Sequence, residues 1–249
     1  MKLVWCPEMA SQAYIDAVRV LADREDRVGS AEVAELVSAM AGGWNAQLVV
    51  EAPDVLAAAA LSSSSSSRSP AAATSLALAA AARRTGGRYA CVLPDAGSAA
   101  AHAGACSQHQ EGAAAAASSS PSPATTVVVG EADEAMRRLE GVDLLVVDAR
   151  RRDAADVLRA ARPGPRGMVV VRHGDARRRG ATALAAASMA AGTRVVRSVY
   201  LPIGKGVEVL HVGVGKGPSL QSRAAGRAAG RWIRHVNHDT GEEHVFRRQ

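Results

Sequence analysis

Short aliphatic runs, each closed by a polar or acidic residue, recur along this chain. The clearest is Leu144–Val147 within GVDLLVVD, which ends on Asp148. A strand apolar on both faces belongs at the centre of a sheet covered on both sides. This run therefore predicts an interior parallel strand with helices above and below it. Ala46–Ala52, Arg88–Asp95, Thr125–Val129 and Met168–Val171 read as further strands arranged around it. Between them the apolar spacing changes to three and four, the period of a helix. It predicts helices over Thr74–Thr85, Ala96–Gly112, Asp133–Leu139, Ala154–Ala161 and Ala181–Ala191. Two more helices come before the first strand. Pro7–Arg24 starts with a proline suited to a first helical turn. The next has Ser30 as N-cap, Val33, Leu36, Val37 and Met40 on its apolar face, and Gly42–Gly43 as its stop.

The last two strands, Arg194–Leu201 and Val207–Val212, are separated only by Pro202–Gly206. So short a link allows no crossover, and the pair must be antiparallel. Strand and helix alternate everywhere before that. The expected fold is α/β: a Rossmann-like, doubly wound, seven-stranded sheet with a terminal antiparallel hairpin, the class I methyltransferase pattern.

Composition adds boundaries. Residues 53–73 contain the serine run Ser62–Ser67, and residues 113–124 are Ala, Ser and Pro. Such segments cannot bury enough surface to offset their ordering entropy, so both read as low-complexity insertions. Residues 1–44 form an N-terminal helical appendage and 45–214 the α/β domain. Residues 215–230 read as a flexible tether. In 231–249, Trp232–Val236 and Glu243–Arg247 alternate around a polar turn, which predicts a β-hairpin.

The chain has 249 residues, enough for one large domain. Aromatics are only 3%, so the core must be Val, Leu and Ile. The net charge of +6 comes from dispersed residues, which suits solvated faces; an anionic partner is the other reading. Cys6, Cys91 and Cys106 show no metal spacing, which fits reduced thiols in an intracellular protein, cytoplasmic or nuclear. No apolar core of signal-peptide length follows Lys2, and no run is long and apolar enough to span a membrane.

Acids close several strands: Glu51 the first, Asp95 the second and Asp148 the central one, while Glu131 follows the third. Open α/β sheets bind ligands at that carboxyl edge. Together these acids would favour a cationic ligand. Individually they could instead cap the helices that follow. His173, just past the Met168–Val171 strand, is a candidate general base or a half-exposed loop histidine. Arg150–Arg152 make the rim after Asp148 basic, as an anion site or a solvated helix start. His235, His238 and His244 match no zinc spacing. Trp232 and Phe246 could stack on nucleic acid or dock on the domain; the second is expected.

The stretches KLVWCPEMASQAYIDAV, Ala31–Ala46, GGRYACVLPD, VVVGEADEAM, GVDLLVVDARRRD, TRVVRSVYLPIGKGVEVLHVG and GEEHVFRR identify a resemblance. On them the chain is identified as a member of an uncharacterised plant family, domain of unknown function 1442. That family resembles S-adenosylmethionine-dependent methyltransferases. A wider similarity is to cation-dependent O-methyltransferases acting on catechols and caffeoyl esters. It rests on Gly130-Glu131-Ala132, Val147-Asp148-Ala149 and Leu201-Pro202-Ile203-Gly204-Lys205-Gly206.

The resemblance implies S-adenosylmethionine as cofactor. Asp95 would take the ribose hydroxyls and Glu51 the methionyl ammonium. Gly130, Glu131 and Ala132 would border the adenine, and Asp148 the amino-acid part or a metal. Asp148 and His173 are the catalytic candidates. Two departures stand out. The turn after the first strand is Glu51-Ala52-Pro53-Asp54 instead of glycine-rich, so the donor pocket is either remodelled or lost. The edge after the fifth strand is Arg172-His173-Gly174-Asp175, where an arginine disfavours a cation, so no metal is expected. The expected function is a methyltransferase-like protein of unknown acceptor with a small-molecule ligand. The alternatives are a catalytically inactive binding or regulatory protein on the same fold, or a basic nucleic-acid-associated protein.

Overall fold

The structure is a computed structural model. It describes residues 5–22, 31–54, 70–107, 125–174, 189–215, 232–236 and 243–247. In chain order these form α1 (Pro7–Val20), α2 (Ala31–Gly43), β1 (Leu48–Ala52), α3 (Pro70–Thr85), β2 (Arg88–Leu93) and α4 (Ala96–Ser107). Then come β3 (Thr125–Val129), α5 (Ala132–Arg137), β4 (Glu140–Val142), β5 (Leu144–Asp148), α6 (Ala154–Ala160) and β6 (Arg162–Pro163). The chain continues with β7 (Met168–His173), β8 (Thr193–Leu201), β9 (Val207–Val214), β10 (Trp232–Val236) and β11 (Glu243–Arg247).

Seven strands form one sheet in the order β3-β2-β1-β5-β7-β9-β8. β3, β2, β1, β5 and β7 are parallel, whereas β9 runs antiparallel to both β7 and β8. The Leu144–Val147 strand is central, as its two-sided hydrophobicity predicts, and every residue of β5 is buried. Its alternate side chains feed two cores. Leu145 and Val147 pack with Val50, Met136, Val157 and Val170, beneath α5 and α6. Leu144 and Val146 pack with Val37, Met40, Val49, Leu78 and Val171, beneath α2 and α3. Burying each of these side chains contributes about 1.5–3 kcal/mol. The N-terminal helices thus share a core with the sheet. Trp44 extends this tie, packing edge-to-face on Trp5 and on His211 of β9.

The element boundaries differ from expectation at several points. α3 begins at Pro70, so residues 70–73, read from composition as insertion, are helical; Ala72 and Ala73 are buried in its packing. β4 and β6 pair with each other in a separate two-stranded sheet that the hydrophobic pattern does not announce. Residues 189–191 are irregular instead of helical, and the rest of the expected 181–191 helix lies outside the described residues. The same holds for Ser30, most of the 53–73 insertion, residues 113–124, most of the tether, Asp175 and His238. β10 and β11 pair antiparallel, with Ile233 opposite Phe246 and His235 opposite His244. Among the described residues no helix is long and apolar enough to cross a membrane.

Candidate functional site

The strand order reverses between β1 and β5, because the chain adds strands outward on either side of that pair. In open α/β sheets the crevice at such a point, outside the carboxyl ends, is the usual ligand site. The acids of β1, β5 and the turn after β2 all come out at this edge. Their situations differ sharply.

Glu51 lies one residue before the end of β1, between Cys91 of β2 and Val146 of β5, and is 1% exposed. One carboxylate oxygen, Oε2, accepts hydrogen bonds from Tyr89 Oη and from Ser75 Oγ, the latter at 2.6 Å. Burial drives its pKa up from 4.5 to about 7; the two hydroxyls pull against that, and Asp148 adds to it. Burial also raises the neighbouring Tyr89 and Cys91 well above their ordinary values.

Asp148 ends β5 and is 3% exposed. Its Oδ1 accepts from the Arg150 backbone N–H at 2.9 Å and from Nε at 3.0 Å, and its Oδ2 from Nη2 at 2.6 Å. Burial pushes the carboxyl up, but the Arg150 bonds and the charges of His173 and Arg150 prevail and hold it below the usual range. His173 is paired with Asp148 across the β5–β7 ladder. Burial holds its imidazole below the ordinary value, against Asp148 and with Arg150, which favours the uncharged ring. Gly174 follows with φ +101, and a Cβ there would stand 2.5 Å from Asp148 Oδ1. Only glycine lets the chain turn back over that carboxylate.

Asp95 follows β2 and is fully exposed, at the start of α4. Its Oδ1 accepts the Ser98 N–H at 2.7 Å and its Oδ2 the Ser98 hydroxyl at 2.8 Å. The Ser98 backbone bond, then the hydroxyl, lowers its pKa. It is therefore a helix cap in this state and also an open carboxylate at the rim. Gly130 donates its N–H to Leu93 O at 3.0 Å, which fixes the turn after β3 to the end of β2. Glu131 and Ala132 border a cleft of about 480 Å³ that runs between α5 and α6 past Asp153 and Arg159. These three thus stand beside β2, further from the β1–β5 crevice than Glu51 and Asp148.

Arg151 is the rim residue that the strand-end pattern does not single out. It is buried, and its Nη1 donates to Val92 O at 2.7 Å. The only sequence signal was its place in the Arg150–Arg152 run directly after an acid-ended strand. Among the described residues no group of three or more His, Cys, Asp or Glu is placed to hold a metal ion. Cys6, Cys91 and Cys106 form no disulfide.

No curated protein matches the chain. Among solved structures it is similar to a methyltransferase from Geobacter sulfurreducens, at 17% identity and TM-score 0.49, covering 80% of this chain and 88% of that one. It is also similar to cofactor-bound Rv0187 from MTB, at 19% identity and TM-score 0.47, covering 81% and 88%. A third is the SAH-bound Podospora anserina methyltransferase PaMTH1, at 12% identity and TM-score 0.46, covering 85% and 90%. Likenesses at these identities leave the site to its own residues. The family model described as "Protein of unknown function (DUF1442)" matches residues 1–248, and the chain belongs to that family.

Proposed function

We propose that the carboxyl edge binds an S-adenosylmethionine-type donor and that the protein is a methyltransferase of unknown acceptor. The observation that carries this reading is the emergence of Glu51, Asp95 and Asp148 from β1, β2 and β5, three neighbouring strands, at the edge where the strand order reverses. The residues fit such a ligand. Asp95 is exposed and ionised at the rim, as an acid that accepts two ribose hydroxyls must be. Glu51 is buried near the carboxyl end of β1, and an approaching ammonium would favour its ionised form. Gly130, Glu131 and Ala132 would flank the adenine, and Asp148 the amino-acid end.

S-adenosylmethionine supplies an activated methyl group on a sulfonium. The chain's part is to hold the donor, exclude water and manage the acceptor's proton. His173, across the ladder from Asp148, would take that proton on a ring nitrogen, and Asp148 would stabilise the imidazolium that results.

Calorimetry of the full chain with S-adenosylmethionine and with S-adenosylhomocysteine tests the reading. Binding of both is expected, with Asp95→Ala weakening it about tenfold or more through lost charge-assisted hydrogen bonds. No heat at millimolar ligand contradicts the reading; an unchanged affinity in Asp95→Ala contradicts the ribose assignment.

A second reading, a non-catalytic binding or regulatory protein on the same fold, is favoured by one observation. The turn after β1 offers Pro53, which has no N–H to donate, where a glycine-rich turn would present its backbone. Binding without any methyl transfer to phenolic acceptors would select it.

A further inference from the structure

Arg151 has no part in the reading above, yet it occupies the middle of the proposed site. Its backbone stands after β5, while its Nη1 donates to Val92 O of β2 at 2.7 Å and to Pro53 O, beyond β1, at 3.4 Å. β1 lies between β5 and β2 in the sheet. A side chain rooted after β5 and bonded to the end of β2 must therefore cross the carboxyl end of β1. That is where the strand order reverses.

The other side of the guanidinium is latched. Nε and Nη2 donate to the two oxygens of Asp153 at 2.5 and 2.9 Å, a bidentate pairing. Asp153 is the N-cap residue of α6, yet its side chain makes no capping bond. An aspartate there would ordinarily accept a helix N–H. Here it faces Arg151 instead. The arginine also satisfies two main-chain carbonyls, uncharged acceptors that suit a cationic group.

Building on the donor-crevice reading, we infer that Arg151 is an internal competitor of the ligand. It supplies from within the chain the positive charge that a sulfonium nucleoside would bring, and the two exclude each other. The donor enters as the guanidinium withdraws from Val92 O and Pro53 O. While latched, the guanidinium is balanced by Asp153, so a neutral residue at 151 would leave that carboxylate free to favour a cation; charge, more than bulk, thus sets the barrier. The site thereby discriminates between a charged sulfonium donor and its uncharged thioether product.

Calorimetry on the full chain tests this with three variants, each checked for native far-UV dichroism. Arg151→Met removes charge and donors, Arg151→Gln removes charge but keeps a donor, and Arg151→Lys keeps the charge. Arg151→Met and Arg151→Gln are expected to bind S-adenosylmethionine about tenfold tighter or more. Their gain for S-adenosylhomocysteine should be smaller, and Arg151→Lys should stay near wild type. If Arg151→Met does not fold, Arg151→Gln and Arg151→Lys carry the comparison alone. Binding in the neutral variants that is unchanged or weaker overturns the inference and makes Arg151 a structural strap. An equal gain in Arg151→Lys overturns the charge argument. Silence from wild type and every variant at millimolar ligand overturns the donor-crevice reading itself, a distinguishable result.

Discussion

Glu51 is the residue on which sequence and structure differ most in meaning. As a letter it is an acid at a strand end; in the fold it is a buried carboxyl held by Tyr89 and Ser75. Its raised pKa has a consequence for stability. Below pH 4.5 both folded and unfolded chains carry the proton, and no penalty arises. Between 4.5 and about 7 the unfolded chain ionises and the folded one does not, so stability falls as pH rises. Above about 7 the loss levels off at about 3 kcal/mol. Urea unfolding should show wild type less stable at pH 8 than at pH 5. Glu51→Gln, which keeps an acceptor for both hydroxyls, should remove most of that slope. A slope unchanged by the substitution would place the titration elsewhere.

A second buried charge behaves differently. Arg172 Nη1 donates to Glu208 Oε2 at 2.6 Å, and Ser198 Oγ donates to Oε1 at 3.3 Å, which ties β7, β9 and β8 together. Removing one partner of a buried pair typically costs about 3–5 kcal/mol. Glu208→Ala should lower unfolding stability by about that much, by chemical denaturation. A loss below about 1 kcal/mol would show the pair to be incidental. In the sequence Arg172 only disfavours a cation beside it; its partner lies 36 residues later, and pairing register brings the two together.

At the scale of elements, the interior strands of the main sheet were legible from their aliphatic runs, buried along the whole of β1 and β5, whereas the edge strands β3 and β8 leave much of theirs exposed. The start of α3 was not legible, because composition masked it. Pro70 after serines looks like a linker, yet proline at the head of an alanine-rich run is also a helix start. β4 and β6 are too short to show any period. The two glycines that end α2 read as a stop signal, and Gly42 proves also to be a contact. A Cβ there would stand 2.5 Å from Ala13 Cβ and from Met9 O of α1. Gly42→Ala should therefore push α1 off α2 and destabilise the protein by about 1–3 kcal/mol. An unchanged melting temperature would mean that the two helices separate without cost.

At the scale of the molecule, the topology followed from the order of strands, crossovers and one short link. A parallel sheet needs the crossovers, and Pro202–Gly206 is too short for another. The rim was legible as a row of acids. Their states were not, since these depend on neighbours distant in the chain: Tyr89 beside Glu51, Val92 beneath Arg151. Arg150 and Asp148 are close in sequence as well as in space, yet the Arg150–Arg152 run reads only as a basic rim or a solvated helix start, and the pairing comes from the structure.

The central claim is that this edge, and no other surface, receives the donor. Hydrogen–deuterium exchange with and without saturating S-adenosylmethionine tests it most directly. Slowed exchange is predicted in residues 51–54, 93–98 and 130–132, at the ends of β1, β2 and β3, with β8 and β9 unaffected. Protection confined to other segments, or none anywhere, would contradict the account.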